Sequence, residues 1–349
     1  MTKCDHPAWL EVLQGEAGPI LTHGWRLPQI IQDFPNPSNQ NPQITLFMGR
    51  RLKEKALRKL CDSNYKGQRR KSAINIRADN RSLHSAKPKL FADCDPTSKG
   101  LERACVVPQT CHQDHTLSFR SLPYEVHDLV FCRLIFMFVD VICIFADDLG
   151  GLGAVEDMIL DWGHISSGSS TTPAIRPRVI VVVNHAQSIT HDILDEKNFL
   201  YDLYMKEPAL SLSFADIRFS RLPSDELKSG RFLSLGADIT RQLHEASFAR
   251  VKENVLFSAT HLCDLFKSAA ESLCQSPSAL TEFNFIAAAR AQNPLDGSFT
   301  SHLKDFIILA GKSRLPYEGV SSHIASAILM DAYPPGMHCE YSSFSPSKT

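Results

Sequence analysis

The sequence predicts an α/β protein, a doubly wound and mostly parallel sheet followed by an α-helical domain. Three observations predict it. From residue 44 to residue 223, short apolar runs of strand type alternate with helix-prone stretches, the pattern of parallel strands joined by crossover helices. Two of the runs, VDVICIFADD (139–148) and RPRVIVVVNH (176–185), are continuously apolar at their centres, as strands buried on both faces are. After Pro223 the period changes, and residues 236–332 carry helical patterns with short breaks.

In chain order, residues 1–40 read as an irregular, polar segment with a small apolar kernel, AWLEVL and GWRLPQII. PNPSNQNP (35–42) reads as a long turn or linker. ITLFM (44–48) is a strand, and RRLKEKALRKLC (50–61) a helix whose apolar face is Leu52, Ala56, Leu57 and Leu60. Residues 62–87 are basic and polar and read as an exposed insertion, PKLFADCD (88–95) as a strand ending in acids. Residues 96–123 show no period. YEVHDLVFCRLIFMF is helical and leads into VDVICIFADD; GLGAVEDMILDW is an amphipathic helix and HISSGSSTTPAI (164–175) a loop. RPRVIVVVNH has five β-branched residues in a row, Val179 to Val183, and is the strongest strand signal. ITHDILDEKNFLYDLY is helical, and ALSLSFADIRFSRLP alternates as a strand near a sheet edge does. The domain plan is therefore 1–40 irregular, 41–223 α/β, 224–340 α-helical and 341–349 tail.

The 349 residues are 43% hydrophobic and 21% charged, with a net charge of −1. Such a balance exerts no whole-chain pull on nucleic acid or an anionic membrane. Residues 129–146, LVFCRLIFMFVDVICIFA, are long enough to span a bilayer. Arg133 and Asp140 lie inside that stretch, and each costs about 2.5–3.5 kcal/mol at a membrane-helix centre, so a buried helix running into a buried strand is predicted. MTKCDHPAWLEVL has no apolar leader core, and the ten cysteines follow no disulfide spacing, which predicts reduced thiols and a cytoplasmic protein.

The stretch GRRLKEKA (49–56) sits between a strand and a helix, where a phosphate-binding loop would read G-x-x-x-x-G-K-[ST]. Gly49 and Lys55 are in register; Glu54 replaces the second Gly and Ala56 the Ser/Thr. Glu54 would place a carboxylate where an anion belongs, a repulsion of roughly 4 kcal/mol at about 4 Å and an effective dielectric near 20. Ala56 removes the hydroxyl that would bind Mg²⁺. Further landmarks keep the order of a GTP-binding fold. Asp93-Cys94-Asp95-Pro96 stands where D-x-x-G would, and Asn184-His185-Ala186-Gln187 where N-K-x-D would. The expected fold is thus of the P-loop NTPase, GTPase-like type with degenerate nucleotide chemistry and no cofactor. The alternative is a nucleotide-binding NTPase using GTP or ATP with Mg²⁺, in which Gly49 and Lys55 contact phosphate, Asn184 the base, and Asp93 or Asp147 the metal.

LFMGRRLKEKALRKLC, LPYEVHDLVFCRLIFMFVDVICIFADDLGGL, RPRVIVVVN and IASAILMDAYPPGMHC resemble the amino-terminal region of large multidomain fungal patatin-like phospholipase proteins. The resemblance spans most of residues 8–340 and rests on regional pattern. It implies a degenerate GTPase-like region preceding a lipid acyl hydrolase domain, a regulatory or scaffolding role, a protein or lipid-hydrolase partner, and a chain that is the front part of a longer protein. A patatin-type hydrolase needs G-x-S-x-G, and the nearest string, HISSG (164–168), has His164 in place of the first Gly, so no lipolytic residue is assigned.

Other clusters are weaker. Cys105, Cys111, His112 and His115, with Cys94 and His127 nearby, follow C-x₅-C-H-x₂-H, which is not a zinc spacing. Residues 50–71 hold ten Lys/Arg against two acids but a single aromatic, Tyr65; a solvated face is expected, with weak anionic-surface contact as the alternative and nucleic acid disfavoured. Asp147 and Asp148 precede Gly150 and Gly151 and read as a cap for the helix that begins near Gly153, or as a metal aspartate.

Overall fold

The computed structural model describes residues 6–62, 73–97, 102–103, 114–120, 125–166, 175–184, 192–223, 230–253, 255–275, 283, 285, 288, 298–313, 316 and 318–324. The chain divides into two units, Met1–Phe283 and Asn284–Thr349.

The first unit is organised by one sheet of ten strands: β1 (Ala8–Gly15), β2 (Gly18–His23), β3 (Gln43–Met48), β4 (Ala73–Ala78), β5 (Lys89–Cys94), β6 (Glu102–Arg103), β7 (His115–Ser118), β8 (Val141–Phe145), β9 (Arg178–Asn184) and β10 (Asp216–Leu222). Their order is β10-β9-β8-β3-β5-β4-β1-β2-β7, with β6 beside β1. The pairings from β10 to β5 are parallel. Those from β5 to β7 are antiparallel.

This corrects the expected fold class. The sheet is mixed rather than mostly parallel and doubly wound, because four strands beyond β5 extend it in the antiparallel sense. The first 40 residues are not irregular: they supply β1, β2 and the helix α1 (Arg26–Gln32). Residues 73–78, read as part of an insertion, form β4, buried along most of its length. The basic residues around AINIRA hid its alternation, and Arg77 is buried because Asp93 neutralises it.

Helices line the sheet. The long apolar stretch at 129–146 breaks as its charges required. A helix, α3 (Val126–Val130), passes through a π-turn at Phe131–Ile135 into α4 (Phe136–Phe138), and the chain then enters β8. Asp140 sits at the break, where it accepts the Ile44 amide at 2.8 Å and pairs with Arg250 at 2.9 Å. Burial raises its pKa and the Arg250 charge opposes that rise. Among the described residues no helix is long and apolar enough to cross a membrane.

The remaining helices of this unit are α2 (Arg51–Leu60), α5 (Leu152–Ser166), α6 (Asp192–Lys206), α7 (Leu210–Ser213), α8 (Leu233–Lys252) and α9 (Ala259–Gln275). Helices α2 and α8 cover one sheet face: Leu52, Ala56, Leu57, Leu235, Ile239 and Leu243 join Phe47, Phe145 and Val182 in one buried cluster. The compact unit consequently extends past residue 223 to Phe283. The second unit contains α10 (Phe299–Lys312), in which Ala310 is buried and Phe306 lies against His323 with ring centroids 5.1 Å apart.

Candidate functional site

The site begins where the parallel strands end. β3 stops at Met48, Gly49 turns the chain, and α2 starts at Arg51. A phosphate loop needs the residues between its two glycines to wrap the anion. Here Arg51 to Glu54 already belong to the first turn of α2. Gly49 has φ +148°, and a Cβ there would meet the Asp148 carboxylate at 2.9 Å and Phe145 at 3.0 Å, so only Gly fits.

That carboxylate occupies the helix terminus. The first amides of a helix lack intrahelical acceptors and carry the positive end of its dipole. Asp148 accepts all that point at it: Arg50 N at 2.8 Å, Leu52 N at 3.0 Å and Lys53 N at 2.9 Å. The chain places its own anion where phosphate would lie in a nucleotide-binding protein.

Beside it lies a buried charge network. Lys53 Nζ donates to Asp93 Oδ2 and to the Cys94 carbonyl, both at 3.2 Å. Arg77 Nη2 donates to Asp93 Oδ1 at 2.7 Å. Asp93 is 1% exposed, so both oxygens of a buried carboxylate are bound by cations, the condition under which burying it is tolerated. Cys94 is also buried, and burial pushes its thiol up to about 12, which keeps it protonated and inert. Further out, Arg50 bonds Asp95 at 2.9 Å and also Thr97. Burial acts to raise the Asp95 pKa, but its bonds to Thr97 and Arg50 outweigh that and hold it below the usual carboxylate range.

The neighbouring strand end is closed in the same manner. Asp147 Oδ2 accepts the Asn184 amide at 2.9 Å, and the Asn184 side-chain oxygen accepts Arg231 Nη2 at 2.9 Å.

Of the residues expected at a nucleotide site, Gly49, Asp93, Asp147 and Asn184 thus lie along the carboxyl ends of β3, β5, β8 and β9. Lys55 is exposed on α2 and makes no contact with this cluster among the described interactions. Lys53, two residues earlier, is the lysine that turns inward. Sequence reasoning missed Lys53, Arg77 and the role of Asp148, which caps α2 rather than the helix that follows it. For Lys53 the available signal was its place on the same helical face as Ala56 and Leu57; Arg77 lies on the strand face opposite Ile74 and Ile76, and nothing local marks it as buried. Cys105, Cys111, His112 and His185 lie outside the described residues; among the described residues no group of three or more His, Cys, Asp or Glu could hold a metal ion.

No protein-family model matches the chain, and no curated protein matches it. Solved structures similar to part of the chain include two siderophore hydrolases. The siderophore hydrolase EstA from Aspergillus nidulans shares 9% identity over 69% of this chain and 95% of that chain, with a TM-score of 0.29. The siderophore hydrolase EstB from Aspergillus nidulans shares 11% over 68% and 96%, with a TM-score of 0.27.

Proposed function

We propose that this chain is a regulatory or scaffolding module without nucleotide turnover, working through a protein partner or a lipid-hydrolase domain of the patatin type that its sequence resembles. The observation that carries the reading is the Asp148 carboxylate on the three amides at the start of α2. A nucleotide phosphate would have to displace a charge-assisted capping interaction before gaining its own, and Asp93 would have to give up both cations before holding Mg²⁺. The polar groups that would do the chemistry are engaged in holding the fold.

The test is a thermal-shift titration of the full chain with Mg²⁺-GTP and Mg²⁺-ATP, with and without EDTA, alongside Lys55→Ala. A ligand at 100 times its dissociation constant stabilises its protein by about 2.7 kcal/mol. The expected outcome is no Mg²⁺-dependent shift in either protein. A saturable Mg²⁺-dependent shift of the parent chain would overturn the reading in favour of nucleotide binding, and its loss in Lys55→Ala would assign the phosphate contact to Lys55.

A further inference from the structure

A second feature lies at the opposite, antiparallel end of the sheet. A cavity of about 320 Å³ opens between β1, the end of β2, the start of β7, α1 and α9. Its walls are largely rings. Trp9 and Phe266 pack with centroids 4.8 Å apart, and His23 meets Phe266 edge-on at 6.1 Å. His23 and His115, directly paired across β2 and β7, stack at 5.0 Å and 19°. Trp25 also lines the cavity and is 44% exposed. The Trp9 indole N–H is buried and has no hydrogen-bond partner among the described residues.

Size and charge narrow the occupant. An apolar protein cavity of about 150 Å³ holds one benzene ring, so this one has room for two fused rings. Lys267 and Asp264 stand at the rim on α9, and His115 faces His23 from β7. Burial lowers the His23 pKa to about 4, with His115 and Lys267 adding to the effect, so its ring is neutral near pH 7. The lysine lining the cavity is Lys267, exposed on α9, and it is the group that would meet a ligand anion. Cys263 also lines the cavity, and burial pushes its thiol up to about 12, which excludes it as a nucleophile there.

We propose that this cavity is a binding site for a planar aromatic carboxylate of up to two fused rings, its rings stacked among Trp25, His23 and His115 and its carboxylate met by Lys267. The proposal is independent of the reading of the Asp148 site, since the residues of the two sites are different and lie in different halves of the sheet.

The test is calorimetric titration of the full chain with three probes of one shape: 2-naphthoate, 2-naphthalenemethanol and 2-naphthylmethylamine. The proposal expects saturable one-site binding of 2-naphthoate. It expects Trp25→Ala to weaken binding about tenfold, through lost ring stacking, and Lys267→Met to weaken it by about threefold, the scale of an exposed ion pair. Both residues are exposed, so thermal melts of the variants should match the parent chain. Equal binding of the alcohol, preferential binding of the amine, or no saturable binding of any probe would overturn the proposal. So would binding of 2-naphthoate unaffected by both substitutions.

Discussion

The two ends of the sheet handle polar side chains in opposite ways. At the carboxyl ends of the parallel strands, Asp93, Asp147, Asp148, Lys53 and Arg77 are bound to one another or to backbone amides, and ligand-like chemistry has become internal structure. At the antiparallel end, His23 and the Trp9 indole line an open cavity beside an exposed Trp25. Residue types associated with catalysis therefore mislead in the first region, and residue types associated with packing mislead in the second. What separates them is whether each polar group already has its partner within the fold.

The largest effect is expected at Asp93. If it is a structural hub, Asp93→Ala leaves Lys53 and Arg77 as buried, mutually repelling cations, and stability should fall by about 3–5 kcal/mol in urea unfolding. The loss should be the same with and without Mg²⁺. A variant of near-normal stability that has lost a Mg²⁺ response would instead make Asp93 a metal ligand.

Acid should find the other end of the sheet. His23 in the folded protein has its pKa lowered to about 4 from the usual 6.5, by burial first and then by His115 and Lys267. Between those values the unfolded chain binds a proton that the folded chain does not. The stability associated with keeping His23 neutral is fully present above pH 6.5 and is lost as pH falls toward 4, a change on the order of 2–3 kcal/mol. Urea midpoints measured from pH 7 to pH 4 should fall accordingly, and His23→Gln should flatten the dependence. An unchanged slope in His23→Gln would assign the acid sensitivity elsewhere.

At the helix terminus, Asp148→Ala strips three amides of their acceptor and should cost about 2 kcal/mol by the same assay. The smallest effect is expected at Lys55, which is exposed on α2. Lys55→Ala should stay within about 0.5 kcal/mol of the parent, and a larger loss would mean that this lysine has a partner after all.

How far the sequence disclosed this architecture depended on the range of the interactions. The apolar runs at Val141–Phe145 and Arg178–Asn184 are central strands, and the alternating Asp216–Leu222 is an edge strand; in each the pattern and the burial are local. The strand Ala73–Ala78 was illegible because its polar positions, Asn75 and Arg77, face an acid that arrives from residue 93. The first 23 residues pair with one another as a hairpin, Ala8–Gly15 with Gly18–His23, a local signal that was overlooked; only their outer neighbours, at residues 73–75 and 115–118, are remote in sequence. The antiparallel half of the sheet was consequently missed, and with it the fold class. At the site, the resemblance of GRRLKEKA to a phosphate loop was one of spelling. Its decisive neighbour, Asp148, comes from 95 residues beyond Lys53, and no spacing rule connects them.

At the start of α2, the Asp148 carboxylate takes the place an anion would fill. The most direct measurement is the urea midpoint of the parent chain and of Asp148→Ala across a series of inorganic phosphate concentrations, with chloride at matched ionic strength as the reference. If the carboxylate stands in for an anion, phosphate restores part of the stability lost in Asp148→Ala and leaves the parent unchanged. Equal stabilisation of both chains by phosphate, or none in the variant, would contradict it.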